Sequence, residues 1–423
     1  MKKTILALVL VACTTISFSQ TKADFDAAIT RFQHFYNSQQ TDSIYNMLSD
    51  KGKSIMTAEQ AAKAFGGIYK QFGNLKSFEI TKQKDALTIY KTVFDNQVLS
   101  LYISLDKDDK LETFRFIPYK DETTDEAVKK EKSNFIFKAP SGNIYGTLTM
   151  PATDKKVPVV LIIAGSGPTD RDCNNSISGK TNAFVMLADS LQKAGIASVR
   201  YDKRGIGESA DAQKDEESLR FAYFINDAIG FIQMLKKDPR FSEVYVLGHS
   251  EGALIGAIAS GEENVAGFIS VSGSGENMDE LIEKQYSAES KESGEKATVI
   301  LDSLKAGYTV KEIDPDMYLL FHPSIQPYLR SLLKYDPREE IKKLTIPVLI
   351  VQGTTDLQVS VADANNLKKA CHHAKLELVD GMNHVLKQAP ADRGQNFATY
   401  DKPDLPLSPG LMPGIVAFVY HSK

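Results

Sequence analysis

The stretch VYVLGHSEGALIGAIAS, residues 244–260, constrains this chain more than any other. It opens as an apolar, β-branched run and closes as a small-residue helical pattern. Between the two sit Gly248, His249, Ser250, Glu251 and Gly252. A serine between glycines at such a joint has a plain reading and a chemical one. In the first, glycine supplies the dihedrals of a tight turn and serine caps the helix. In the second, the turn is strained, small neighbours let backbones pass closely, and the serine hydroxyl stands out as a nucleophile. The flanking strand and helix patterns supply the context that the second reading requires.

A serine hydroxyl is a poor nucleophile at neutral pH. It needs a base to take its proton and a third group to orient that base. IPVLIVQGTTD places Asp356 in a loop after a buried strand, and LELVDGMNHVL places His384 after the next one. Each alone has a bland alternative, a turn aspartate or a surface histidine. Together, Ser250, Asp356 and His384 follow the chain order of the α/β-hydrolase triad, each at a strand end. The rivals fit less well. Asp380 precedes a glycine and makes a turn, and Asp363 falls on a helix. His249 is fixed beside the serine, and His34, His322 and His421 fall outside the sheet loops. Acyl transfer also needs donors for the oxyanion. One is the N–H of Glu251, the residue after the nucleophile. The other is expected in IIAGSGPTDRD, at Ser166 with Gly167 next. A phosphate-binding reading of that loop is set aside, because no Gly-Lys-Ser/Thr follows and Pro168 lacks an N–H.

The surrounding pattern agrees. From residue 135 onward strands alternate with helices: VPVVLIIAGSG, IASVRYD, VYVLGHS, VAGFISVSG, IPVLIVQG and AKLELVDG read as strands, with helical runs between most of them. That alternation implies a doubly wound, mostly parallel sheet covered on both faces. FIFKAPSGNIYGTLTMP reads as a hairpin turning at residues 141–143, and the last helix as residues 413–421. Residues 276–343 interrupt the alternation with a charged, helix-rich insertion, placed where a lid would be. The Pro-rich residues 397–413 are expected to wrap the base of the fold and line the pocket entrance.

Residues 135–423 resemble the α/β-hydrolase superfamily through Gly248-His249-Ser250-Glu251-Gly252, Asp356 in QGTTDLQVS and His384 in GMNH. YDKRGIGES, residues 201–209, is similar to an early loop of that superfamily, in which Asp202 and Arg204 would pin the chain. AGSGPTDRD resembles a subgroup of bacterial esterases and serine-aminopeptidase-like hydrolases. Many lipases and esterases carry histidine where this chain has Ala164. The triad, rather than the fold alone, implies a serine hydrolase working through an acyl-enzyme, for which no metal or organic cofactor is needed.

Residues 20–119 have another character: three helical runs, then four alternating strands, an α+β unit. Thr41 and Thr57 are its expected helix caps. The unit resembles the small cone-shaped domains that precede some of these hydrolases. Its aromatics, Phe25, Phe32, Phe35, Tyr36, Phe65, Tyr69 and Phe72, fall at helical spacing and are expected in its core. A homodimer formed through this unit, or shielding of the active-site mouth by it, is a further expectation. Residues 120–134 are charged, lack an apolar stripe and read as a linker.

MKKTILALVLVACTTISFSQ reads as a signal peptide over residues 1–19, with Lys2 and Lys3 before an apolar stretch and a small-x-small site ending at Ser19. Leu10-Val11-Ala12-Cys13 resembles a lipobox, so lipid anchoring through Cys13 is the alternative. Either way the protein is expected to be exported, to the periplasm or the medium, without a membrane span. With 50 Lys+Arg against 54 Asp+Glu, nothing points to nucleic acid. No Cys/His pair has metal spacing, and Cys173 and Cys371 could form one disulfide.

Serine as nucleophile favours an ester, thioester or amide substrate. A small-molecule carboxylic ester is the first expectation. An aminopeptidase-like hydrolase is the second, and would use Glu251, Asp170, Asp172 and acidic insertion residues to hold a substrate ammonium. A ligand-binding protein with a vestigial hydrolase domain is the third.

Overall fold

The structure, a computed structural model, describes residues 21–84, 87–119, 133–175, 179–213, 215–288, 290–314 and 317–421. The expected signal segment, Cys13 and residues 120–132 of the expected linker lie outside the described residues. The chain divides into two compact units, residues 1–129 and 130–423.

In the first unit, helices Lys22–Asn37, Thr41–Met47, Asp50–Ile55 and Ala58–Phe72 precede an antiparallel sheet. Its strands β1 (Leu75–Lys84), β2 (Leu87–Phe94), β3 (Val98–Leu105) and β4 (Leu111–Pro118) pair in chain order. Period-2 burial along β2 and β3 gives the sheet one inward face. Phe25, Phe32, Tyr36 and Phe65 are buried, while Phe35, Tyr69 and Phe72 are partly buried against them. The expected aromatic face is thus the unit's own core. Thr57 caps its helix through a capping box with Gln60. Thr41 is instead the first helical residue, with Gln40 at the cap position. Helix Asp50–Ile55 was not expected, since six residues are too few to display a period.

The second unit is built on an eight-stranded sheet. Its strands are β5 (Phe135–Ala139), β6 (Gly142–Thr149), β7 (Val157–Ile163), β8 (Ala197–Tyr201), β9 (Phe241–His249), β10 (Gly267–Val271), β11 (Val348–Gly353) and β12 (Lys375–Val379). They lie in the order β12-β11-β10-β9-β7-β8-β6-β5. β5, β6 and β8 pair antiparallel, and the rest of the sheet is parallel. Successive residues of the central strands serve opposite cores. Val159, Leu161, Ile163, Val246 and Ile350 pack under helices Phe221–Lys237 and Glu251–Glu263. Val160, Ile162, Leu247 and Val351 pack under helices Ala183–Lys193 and Leu411–His421. Burial on both faces explains why these strands read as unbroken apolar runs.

The hairpin turns at residues 140–141 rather than 141–143, and Gly142 opens β6 opposite Ala139 at φ 147°. The last helix starts at Leu411, two residues earlier than expected; Pro413 stays within its first turn, where its missing N–H costs nothing. Among the described residues, five helices of 4 to 15 residues lie in the insertion between β10 and β11. Their buried side chains, Ile282, Ile300, Leu301, Phe321 and Leu329 among them, continue the core of one sheet face. Cys173 and Cys371 are both buried and free.

Candidate active site

The parallel strands leave β7 in opposite directions: the chain moves from β7 to β8 on one side, then crosses to β9 on the other. Loops leaving the carboxyl ends of β7 and β9 therefore meet at a topological switch point, where open α/β sheets place their sites. There β9 ends at His249, Ser250 turns at φ 55° and ψ −124°, and the helix starts at Glu251. Few L-residues adopt that backbone. The turn is held by Ser250 N–H donating to Val271 O at 3.0 Å and Ala253 N–H donating to Ser250 O at 2.9 Å. Both flanking glycines are sterically required. A Cβ on Gly248 would lie 2.1 Å from Gly252 O, and one on Gly252 would lie 2.3 Å from Ile163 O. A Cβ on Gly165 would fall 3.0 Å from that of Ser250, so the loop after β7 passes against the elbow. Ser166 and Gly167 follow in that loop, both exposed, with Gly167 at φ 69°.

His384 and Asp356 are brought together: Nδ1 lies 2.9 Å from Asp356 Oδ2, and both residues are buried. Asp356 Oδ1 accepts from the N–H groups of Gln358 and Val359 at 2.9 and 3.0 Å. Gln352 Nε2 lies 3.3 Å from Oδ2 and donates to Val359 O at 2.8 Å, bracing the same loop. Burial alone would raise the Asp356 carboxyl. The His384 ring and the two amides outweigh it and hold the group below its usual range. Ser250 is tied to this pair through its neighbour. His249 Nε2 lies 2.8 Å from the carbonyl oxygen of His384, and the two rings are 4.9 Å apart. No hydrogen bond joins the Ser250 side chain to His384 among the described residues.

The acidic residues of the second reading have other partners. Asp170 Oδ1 accepts from the N–H groups of Asp172 and Asn174, both at 2.9 Å. Asp172 pairs with Arg200 at 2.9 Å. Glu251 Oε2 accepts from Tyr328 Oη at 2.6 Å, a contact made by the insertion. The YDKRGIGES loop is pinned as its sequence implies: Asp202 binds Arg171 at 2.6 Å and Arg204 binds Asp227 at 2.6 Å. Residues 397–413 do not wrap the base of the sheet. Buried Tyr400 takes a hydrogen bond from Gln358 at 3.1 Å, beside the Asp356 loop, because Asn396 anchors the segment to Thr355 O. Among the described residues no helix is long and apolar enough to cross a membrane, and no group of three or more His, Cys, Asp or Glu could hold a metal.

Sequence reasoning missed the roles of His249, Gln352 and Tyr328. From sequence alone, His249 stands only as a rival base. Tyr328 sits in a segment whose sequence gives no hint of what it meets.

The chain is similar to several known proteins. Residues 177–291 match the family described as serine aminopeptidase, S33. Residues 30–114 match a family described only as a protein of unknown function, DUF3887. Esterase EstD of Thermotoga maritima is 25% identical over 374 residues, covering 86% of this chain and 88% of the relative. Among solved structures, Est1E from Butyrivibrio proteoclasticus matches at 19% identity and a TM-score of 0.43, covering 63% of this chain and 95% of that one. An esterase from Exiguobacterium antarcticum matches at 21% identity and a TM-score of 0.39, covering 59% of this chain and 91% of that one. From its own strand order and its elbow, the chain has an α/β-hydrolase fold preceded by a small α+β domain.

Proposed function

We propose that the protein hydrolyses carboxylic esters through an acyl-enzyme on Ser250, with His384 as base and Asp356 as its orienting partner. The observation that carries this reading is the buried 2.9 Å contact between His384 Nδ1 and Asp356 Oδ2 beside a serine held at positive φ. A charged Asp356 accepts from Nδ1–H and so leaves Nε2 free as the base. His384 takes the Ser250 proton as Oγ attacks the acyl carbon, then gives it to the departing alcohol. Water repeats the sequence on the acyl-enzyme and releases the acid. The oxyanion of each tetrahedral intermediate is taken by the N–H of Glu251, at the positive end of helix Glu251–Glu263, and by the N–H of Ser166, with Gly167 next. The scheme needs no metal or cofactor. The insertion acts as the lid that sets substrate size.

The relative named as an esterase supports an ester substrate. The aminopeptidase reading is favoured by the description of the family that residues 177–291 match. Against it, Asp170, Asp172 and Glu251 are each engaged by protein partners. Turnover of 4-nitrophenyl acyl esters beside aminoacyl nitroanilides, by wild type and Ser250→Ala, separates the two. Serine-dependent hydrolysis of esters alone supports the esterase. Hydrolysis of anilides with a free amine moves the assignment to the peptidase. No serine-dependent turnover of either leaves the binding-protein reading.

Export belongs to the same proposal and rests on the N-terminal sequence. Mass spectrometry of the mature N-terminus distinguishes cleavage after Ser19 from acylation at Cys13. Dimerisation through the first unit is tested by light scattering on the full-length chain and on one starting at Ser133.

A further inference from the structure

Lys203 is a buried lysine that the scheme above leaves unused. It lies in the loop after β8, between Asp202 and Arg204, which have their own partners. Its ammonium donates to the main-chain oxygen of Gly165, in the loop after β7. It also stands 3.9 Å from Glu251 Oε1 and 5.4 Å from the centre of the Phe224 ring. Glu251 follows the nucleophile directly, and its other carboxylate oxygen takes the Tyr328 hydroxyl from helix Gln326–Leu332 of the insertion. One buried cation therefore meets the loop after β7 and the elbow at once, and a single further bond reaches the insertion. Desolvating an ammonium is costly, so its donors are expected to serve a purpose that an apolar side chain could not.

The Gly165 carbonyl and the Ser166 N–H are the two ends of one peptide unit. Such a unit is planar, and no cis peptide occurs among the described residues, so its oxygen and its hydrogen point in opposite directions. A donor fixed on the oxygen sets the direction of the N–H. A cation there also polarises the peptide and strengthens the N–H as a donor. We propose that Lys203 is a positioning residue that aims and polarises the Ser166 N–H for the oxyanion, with Glu251 as its counter-charge and Tyr328 as the tie to the insertion. This rests on the reading of Ser166 as an oxyanion donor.

The test compares wild type with Lys203→Met and Lys203→Gln. It measures kcat and KM for 4-nitrophenyl butyrate, and inhibition by an alkyl trifluoromethyl ketone, whose adduct with serine carries the oxyanion. In Lys203→Met, kcat should fall about 10- to 100-fold, less than for deleting an oxyanion donor outright. Ketone affinity should fall in proportion, and KM should stay within about twofold. Lys203→Gln keeps a neutral donor and should recover part of both losses; if Lys203→Met does not fold, the Gln variant alone decides. A folded variant with wild-type kcat and ketone affinity overturns the proposal. So does a fall in kcat that leaves ketone affinity untouched, because the lysine would then act on another step. Ser166→Pro, with Lys203 intact, tests the underlying reading separately. Unchanged ketone affinity there would remove Ser166 as the donor whatever the lysine variants do.

Discussion

His249 donates its Nε2–H to the main-chain oxygen of His384 at 2.8 Å. The residue before the candidate nucleophile thus holds the backbone of the candidate base, and strand β9 is locked to the loop after β12. Replacing His249 by leucine leaves a buried carbonyl unpaired, at a cost of about 1–3 kcal/mol. It also frees the loop that carries the imidazole. His249→Leu should melt earlier than wild type and lose kcat more than it changes KM. His249→Gln, which keeps a donor, should lose less of both.

The same ring predicts sensitivity to acid. Burial, reinforced by the neighbouring His384, pushes the His249 imidazole down to about 3. In the unfolded chain it titrates near ~6.5. Between those values the unfolded state binds the extra proton, so stability falls as pH drops through this window. Asp356, held below its usual range, acts in the same direction at the acid end. The urea midpoint of wild type should decline from pH 7 to pH 4, and His249→Gln should flatten the decline. Parallel pH profiles for the two proteins would show that this ring does not set it.

Asp356→Asn tests the orienting role. Oδ1 of Asp356 sits against two backbone N–H groups, so the amide oxygen of asparagine takes that side. Its NH2 then faces His384 Nδ1 and selects the tautomer with the proton on Nε2, which cannot act as base. If His384 is the base, activity should fall by a factor on the order of 10⁴, the loss that follows when a Ser-His-Asp triad loses its carboxylate, with the fold preserved by circular dichroism. A loss under tenfold would argue that His384 needs no such partner.

Gly248→Ala and Gly252→Ala probe the elbow itself. Each added methyl would overlap backbone atoms rather than a movable side chain. Destabilisation beyond about 3 kcal/mol is expected, seen as insoluble protein or a collapsed denaturant midpoint. Gly66→Ala, where nothing beyond the chain neighbours and the backbone of its own helix lies within 4 Å of the added methyl, is the matched control and should fold normally.

The elbow, Asp356 and His384 were readable because each follows an apolar strand whose pattern survives without tertiary information. Ser250 is marked by the glycines that its backbone requires, and Asp202 and Arg204 by the loop motif around them. Their partners Arg171 and Asp227 were not readable, because a salt bridge between distant segments leaves no local pattern. Lys203 was hidden for a similar reason: nothing in its sequence neighbourhood shows that its ammonium is buried against Gly165. The path of residues 397–413 is not legible in the sequence, because proline-rich composition says the segment is irregular but not where it runs. Asn396 and Tyr400 decide that, through partners about forty residues away in sequence.

The most direct test of the central claim is covalent labelling of the full-length protein with a fluorophosphonate, followed by mass mapping of the adduct. The account predicts a single adduct on Ser250, absent in Ser250→Ala and formed far more slowly in His384→Ala. An adduct on another residue, or undiminished labelling of Ser250→Ala, would contradict it.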